Sequence, residues 1–314
     1  MKYGIKKIVT LIITLLLASF LTFVAFDIIP GDSALSSLGM DASEEQVEAL
    51  REEMGFNDPI YQRYARFIGG VVTGDFGTST QYHMPVKQLV TERFPVTIGI
   101  AVISILLILF CSVPIAIISA KREGSTLDRI ITFLNQLGMS IPPFFLGLIL
   151  TLVFGILLKW FVPGQYIRME ESFAGYVSCL LFPAIAVAIP KIAMMVKFLR
   201  SSVIRQLDMD YVRTAKSKGN SERGILYKHV LKNALIPVIT FFAMIIADVL
   251  AGSIIVEQVF NLPGLGRLLV VSISARDLAC VQIIVLYITA VVLVLNCIVD
   301  ILYQYVDPRI NLEA

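Results

Sequence analysis

Asp248 is the residue most able to do chemistry where chemistry is expensive. It sits in the apolar run Leu235–Val256, nearer the middle than any other acid in such a run. A charge at the centre of a membrane span costs on the order of 2.5–3.5 kcal/mol on insertion scales, so the side chain is expected to face the interior and not lipid. Two roles fit it: attraction of a cationic group, or a protonated or hydrogen-bonded structural acid. A second candidate lies between Lys197 and Lys232. There Ile204, Leu207, Tyr211, Val212, Ala215 and Gly219 recur at helical spacing, surrounded by Arg205, Arg213, Lys216 and Lys218. A basic amphipathic helix of this kind binds a lipid surface or another protein. A lipid-binding helix favours bulky side chains, whereas Ala215 and Gly219 permit close approach of a partner, and spacing leaves both readings open.

Other chemistries find no support. No G-x-x-x-x-G-K-[ST] loop occurs, so nothing would cradle ATP phosphates. His83 and His229 are far apart and, by the topology below, on opposite sides, so they form no single metal site, and Met194, Met195 and Met244 read as helix packing. The apolar runs contain neither a nucleophile–base pair nor a paired-carboxylate site for hydrolysis within the membrane. Cys111, Cys179, Cys280 and Cys297 all fall in apolar stretches and read as small hydrophobes.

The elements that must position these residues follow from composition. The 314 residues are 57% hydrophobic and 16% charged, with mean hydropathy +0.80. Soluble chains run near 45–50% apolar and about a quarter charged. This excludes disorder, coiled coil and a small disulfide scaffold, and leaves a polytopic membrane protein. Six runs are long enough to cross a hydrocarbon core of about 30 Å as helices: Ile8–Ile29, Val96–Ala120, Phe133–Leu158, Tyr176–Met195, Leu235–Val256 and Ala279–Val299. They are too long and too uniformly apolar for barrel strands, so the fold class is all-α. The first run follows Lys2, Lys6 and Lys7 as a signal peptide would, but it has full span length and no small-x-small cleavage site before Asp27, so it reads as retained. Pro114, Pro142, Pro143, Pro183 and Pro190 interrupt the inner spans; each alone suggests a kink, and their clustering suggests a lined cavity. Asp27 and Asp300 lie near span ends, where solvated structural roles suffice.

Basic residues set the orientation. Ten fall between Lys191 and Lys232, against only Lys159, Arg168, Arg267 and Arg276 in the two short loops of the other side. Both termini are therefore expected in the cytoplasm. The expected organisation is an N-terminal segment and first span (1–29), a long extracytoplasmic loop (30–95), and a five-span core (96–314) that includes the cytoplasmic loop 197–232. In the outer loop, Ser43-Glu44-Glu45-Gln46 has capping-box spacing, which predicts a short acidic helix over Glu44–Met54. Pro59 opens an amphipathic stretch with Ile60, Tyr64, Phe67 and Ile68 on one face, closing at Gly69-Gly70. That face suits either a lid packed on the spans or a docking surface for an extracellular partner.

The stretch Asp210-Tyr211-Val212-Arg213-Thr214-Ala215-Lys216-Ser217-Lys218-Gly219, continuing through His229 and Asn233-Ala234-Leu235-Ile236-Pro237, resembles the inner loop of ABC-transporter permeases. More narrowly, it resembles the B-type subunit of the dipeptide/oligopeptide/nickel importers. Pro30-Gly31-Asp32, Gly74-Asp75-Phe76-Gly77-Thr78-Ser79, Ser140-Ile141-Pro142 with Phe144 and Gly147, Val256-Glu257 with Phe260, Pro263-Gly264-Leu265-Gly266, Asp277, and Asp307-Pro308-Arg309 are similar to that family's fragments, in order and spacing across nearly the whole chain. Where the broader permease family often has Glu-Ala-Ala, this chain has Arg213-Thr214-Ala215, usual in the peptide branch and able to present Arg213 to a carboxylate.

The resemblance implies a transport subunit without enzymatic activity or cofactor of its own, six transmembrane helices of the type I importer kind, and location in the cytoplasmic (inner) membrane. It implies three kinds of companion besides the lipid: a second homologous permease, two ABC ATPase subunits that consume the ATP, and an extracytoplasmic substrate-binding protein; nucleic acid has no part. It places Asp210, Tyr211, Arg213, Thr214, Ala215 and Gly219 at the groove of an ATPase, whose motion the helix would transmit. The expected cargo is di- or oligopeptides, with nickel or a metal–chelator complex as the alternative. The family more often has a small residue at Asp248, so the resemblance assigns that acid no role. An ion-coupled secondary transporter would show inverted repeats and several mid-membrane carboxylates, against which six spans, one candidate acid and a large basic inner loop argue.

Overall fold

The computed structural model describes residues 2–28, 43–53 and 57–306. Apart from one isolated antiparallel bridge between Thr78 and Pro85, the regular structure among these residues is helical. Five helices are long and apolar enough to span a membrane: α1 (Lys2–Ile28), α4 (Val86–Lys121), α7 (Phe173–Leu207), α10 (Leu231–Val259) and, after the short α11 (Leu265–Ser274), α12 (Leu278–Val306). At 1.5 Å per residue, the 36 residues of α4 and 35 of α7 reach roughly 50 Å, well beyond a hydrocarbon core of about 30 Å.

The expected third span, Phe133–Leu158, is not one helix. α5 (Thr126–Ser140) and α6 (Pro143–Leu150, continuing as a π-helical segment Thr151–Leu157) are bent by 98° at Ile141-Pro142. Pro142 and Pro143 cannot donate backbone hydrogen bonds to α5, and each disfavours helical backbone in the residue before it; Ile141 and Pro142 are accordingly extended. Pro183 and Pro190, by contrast, are buried inside an unbroken α7. Ser104 Oγ of α4 donates to the Ala184 carbonyl at 3.1 Å, tying this stretch of α7 to its neighbour. Proline content alone thus did not distinguish a break from a continuous helix; two consecutive prolines did.

The chain divides into two compact units, one of residues 1–96 and 263–294, the other of residues 97–262 and 295–314. In the first, α2 (Glu44–Glu53) begins with the anticipated reciprocal cap: Gln46 N–H donates to Ser43 Oγ and Ser43 N–H to Gln46 Oε1. Met54 lies outside the described residues. α3 (Ile60–Thr73) runs through Gly69-Gly70 and ends one turn later, at Gly74 in a left-handed conformation (φ +78°). The Asp75 N–H reaches back to the Gly70 carbonyl at 2.9 Å, and a Cβ on Gly70 would lie 2.6 Å from the Asp75 oxygen. Gly70 is therefore required by close backbone approach one turn before the stop. The amphipathic face of α3 is used within the unit. Tyr64 lies edge-on to Phe20 and Phe23 of α1, and its hydroxyl is 2.8 Å from Ser19 Oγ. The packed-lid reading holds for Tyr64 and Phe67.

In the second unit, α7 is the central post, packed against α5, α6 and α10. α10 follows a short helix, α9 (Glu222–Ile225), through a π-helical turn Leu226–Val230. Ser202 Oγ donates to the Ala234 carbonyl at 2.8 Å, a buried bond that ties α7 to α10.

Candidate functional site

The segment joining α7 to α10 contains the residues expected to meet an ATPase. α7 stops at Leu207, and a separate helix, α8 (Asp210–Ser217), starts after Met209 in extended backbone (φ −74°, ψ 149°). The apolar stripe predicted from Ile204 to Gly219 is therefore two elements, with Ile204 and Leu207 on the end of α7 and Tyr211, Val212 and Ala215 on α8.

Val212 and Ala215 are buried within the chain, at 1% and 9% exposed. Ala215 thus packs its small side chain against the chain's own helices. The Tyr211 hydroxyl is bonded to Gln206 Oε1 at 2.9 Å, anchoring the start of α8 to the end of α7. Asp210, Arg213 and Thr214 form the outer face: Thr214 Oγ1 donates to the Asp210 carbonyl, and Arg213 lies 3.6 Å from Asp210 with both side chains largely exposed.

Gly219 lies beyond the helix, not on its stripe. Its φ is +77°, its N–H donates to the Lys216 carbonyl at 2.9 Å, and the Asn220 N–H returns to Ala215 at 3.3 Å. These two bonds are the Schellman closure, which glycine favours because it has no Cβ to oppose left-handed backbone. A Cβ here would meet nothing within 4 Å, so conformation, not crowding, selects this glycine within the chain. Ser221 then caps α9, accepting the Gly224 N–H.

Asp248 is not a lone carboxylate. Its Oδ2 lies 2.7 Å from Nζ of Lys191, near the middle of α7. The charge count had placed Lys191 with the cytoplasmic basic residues; it belongs instead to the helix, sixteen residues before Leu207. A lysine within an apolar run is as costly as the aspartate, and pairing reduces both costs.

A further ion pair was absent from the sequence reading. Arg200 Nε and Nη2 of α7 each donate at 2.7 Å to the two carboxylate oxygens of Asp128, in the first turn of α5. Ser119 Oγ of α4 donates to the same carboxylate, as does the Gly124 N–H at 3.0 Å. Asp128, 4% exposed, thus satisfies a two-pronged guanidinium, a hydroxyl and a loop amide together. In the first unit, buried Ser79 of the Gly74–Ser79 stretch donates its hydroxyl to Asp277 Oδ2, while Asp277 Oδ1 accepts the Cys280 N–H and so caps α12. In the second unit, fully buried Glu257 accepts from Thr97 Oγ1 at 2.7 Å. The sequence marked Ser79, Glu257 and Asp277 as fragments of a pattern; the geometry gives them packing roles. Among the described residues, no group of three or more His, Cys, Asp or Glu side chains could hold a metal ion, and the four cysteines are unbridged.

Five spanning helices, a sharply bent helix pair and a capped basic helix between two spans define a multi-pass membrane permease component. The chain matches the family described as binding-protein-dependent transport system inner membrane component over residues 112–312, and the N-terminal module of the same systems over residues 1–101. It belongs to that family, the permease subunits of ABC importers. It is 38% identical to the oligopeptide transport system permease protein AppB of Bacillus subtilis, over 98% of this chain and 99% of that protein. It is 35% identical to a putative peptide transport system permease protein of Brucella suis, with 98% of each covered, and 35% identical to the glutathione transport system permease protein GsiC of Shigella boydii, with 99% of each covered.

Proposed function

We propose that this chain forms one half of the pathway by which short peptides enter the cell, in an importer driven by ATP hydrolysis on separate subunits. Relatives named for oligopeptides, peptides and glutathione, the last itself a small peptide, all align over nearly the full chain, which favours peptides over nickel or a metal–chelator complex as cargo. The companions are a second, similar permease, two ATPase subunits and an extracytoplasmic binding protein, with both termini and α8 on the cytosolic side. No cofactor is held by the chain; ATP is consumed by its partners.

The observation that carries the reading is α8 itself. It is a short helix held between two spans by the Tyr211–Gln206 bond at its start and the Gly219 closure at its end. Its buried side is Val212 and Ala215, and its outer side offers Asp210, Arg213 and Thr214. Anchored at both ends, such a helix transmits a push from an ATPase groove to α7 and α10. Reversing an outward–inward equilibrium from 1:99 to 99:1 takes about 5.5 kcal/mol of differential binding, which a loose loop would dissipate. The test is co-purification in mild detergent followed by reconstitution. The complete assembly should accumulate trialanine with ATP; an assembly that hydrolyses ATP but accumulates no peptide contradicts the cargo.

A further inference from the structure

Lys191 of α7 and Asp248 of α10 meet about one turn from a groove between the same two helices. Lys191, Met194, Phe198, Ser201 and Arg205 recur at three- and four-residue intervals along α7, and Pro237, Phe241, Met244 and Asp248 do so along α10, so each set shares one helix face. Met194, Phe198, Ser201, Arg205, Pro237 and Phe241 line a cleft of about 320 Å³ in this groove. Phe198 and Phe241 stack across it, with ring centroids 4.3 Å apart and planes 14° apart. Lys197 also lines the cleft, which has two cations and no acid. The face of α10 left uncovered around Asp248 includes Thr240, Met244, Ala251, Ile255 and Gln258, too mixed in polarity for a lipid-facing stripe.

The two partners of the pair are unequally accessible. The Lys191 side chain is 15% exposed, while that of Asp248 is 57% exposed. A carboxylate held on one side by a largely covered ammonium and open on the other can accept a second ammonium. Lysine has a flexible four-carbon stem, so Lys191 can swing away when displaced.

We infer that the Lys191–Asp248 pair is a subsite on the translocation path for the charged ends of a zwitterionic short peptide, Asp248 taking the ammonium and Lys191 the carboxylate. This rests on the peptide reading above and adds the residues that recognise free termini. The exchange conserves charge pairing: one ion pair opens and two form, so no charge is stranded among the spans. It also selects for size, because the ends of an extended peptide separate by about 3.3–3.6 Å per residue and Lys191 must follow the carboxylate outward. Beyond the pair, Lys197 and Arg205 continue the cationic lining along the groove.

The test uses the complete transporter in liposomes with the same binding protein in every arm, so that changes in preference belong to the permease. Uptake of trialanine, N-acetyl-trialanine and trialanine amide is compared for wild type, Asp248→Asn and Lys191→Met. Losing one charge-assisted contact should lower preference on the order of ten- to a hundredfold. Asp248→Asn is expected to lose the preference for free over acetylated peptide, and Lys191→Met the preference for free over amidated peptide. The charge-swapped double variant Lys191→Asp/Asp248→Lys keeps a tie between α7 and α10, so assembly is controlled; it is expected to lose both wild-type preferences. If the single variants reduce uptake of all three peptides in equal proportion, or the swapped variant restores uptake with wild-type preferences, the pair is only a structural tie and the inference is overturned. A wild-type assembly that moves none of the three while hydrolysing ATP overturns the peptide reading, and this inference with it. Wild-type uptake with unchanged preferences in the variants overturns this inference alone.

Discussion

At the scale of single residues, Gly219 and Arg213 separate two demands made on one short helix. Gly219 is selected by its backbone, at φ +77° in open space. Gly219→Val forces a β-branched residue into left-handed backbone, at a cost of about 1–2 kcal/mol. It should lower uptake while leaving the protein in the membrane, whereas Gly219→Asn, which tolerates that conformation, should retain most uptake. Equal transport by Gly219→Val and wild type would show that the closure has no part in coupling. Arg213 is selected by charge and exposure. Arg213→Glu should weaken co-purification of the ATPase subunits with little effect on thermal stability of the permease, because an exposed i,i+3 contact with Asp210 contributes little. Unchanged recovery of the ATPases across a range of salt would remove Arg213 from the interface.

Among the elements, α7 concentrates the polar ties that the apolar pattern conceals. Arg200 binds Asp128 of α5, Lys191 binds Asp248 of α10, and Ser202 binds the α10 backbone. Removing one partner from a buried ion pair leaves the other uncompensated, so Arg200→Met is expected to destabilise by about 3–5 kcal/mol, measured as a lower unfolding midpoint in detergent. The double variant Arg200→Met/Asp128→Leu should recover much of that loss; if the two single losses simply add, the pair is not the source. These ties explain what was legible beforehand. The five long helices were readable because lipid demands uninterrupted apolar runs, and the α2 cap because its residues are three apart. The Asp128–Arg200 and Lys191–Asp248 pairs join positions 72 and 57 residues apart, which leave no periodic trace. A signal for the second was present: Lys191 lies within the expected span Tyr176–Met195, where an unpaired ammonium is costly, and Asp248 was the one central acid to receive it. The bend at Ile141-Pro142 was visible as two prolines, but its angle depends on α7 and α10 packing against α6. The burial of Ala215 was not legible from its size, because a small residue suits inward packing as well as an outer contact.

For the whole molecule, the family makes the chain a membrane permease subunit, and the proposed function leaves the motor to other chains. Purified and reconstituted alone, the permease should not concentrate trialanine under any ion gradient; accumulation without companions would return the ion-coupled alternative. The first compact unit also contains chain from both ends of the sequence. Ser79 and Asp277, 198 positions apart, meet in its interior. Ser79→Ala would leave Asp277 short of a donor at a cost of about 1–3 kcal/mol, read as faster proteolysis of the 43–96 region in membrane vesicles. The same long-range contact has a consequence for biosynthesis. A ribosome adds roughly 5–20 residues per second, so the segment around Ser79 waits on the order of ten to forty seconds after its own translation before its C-terminal partner emerges. During that interval the segment must be shielded by the insertion machinery or by chaperones, and a nascent chain stalled before residue 277 should be cut there far more readily than the finished protein.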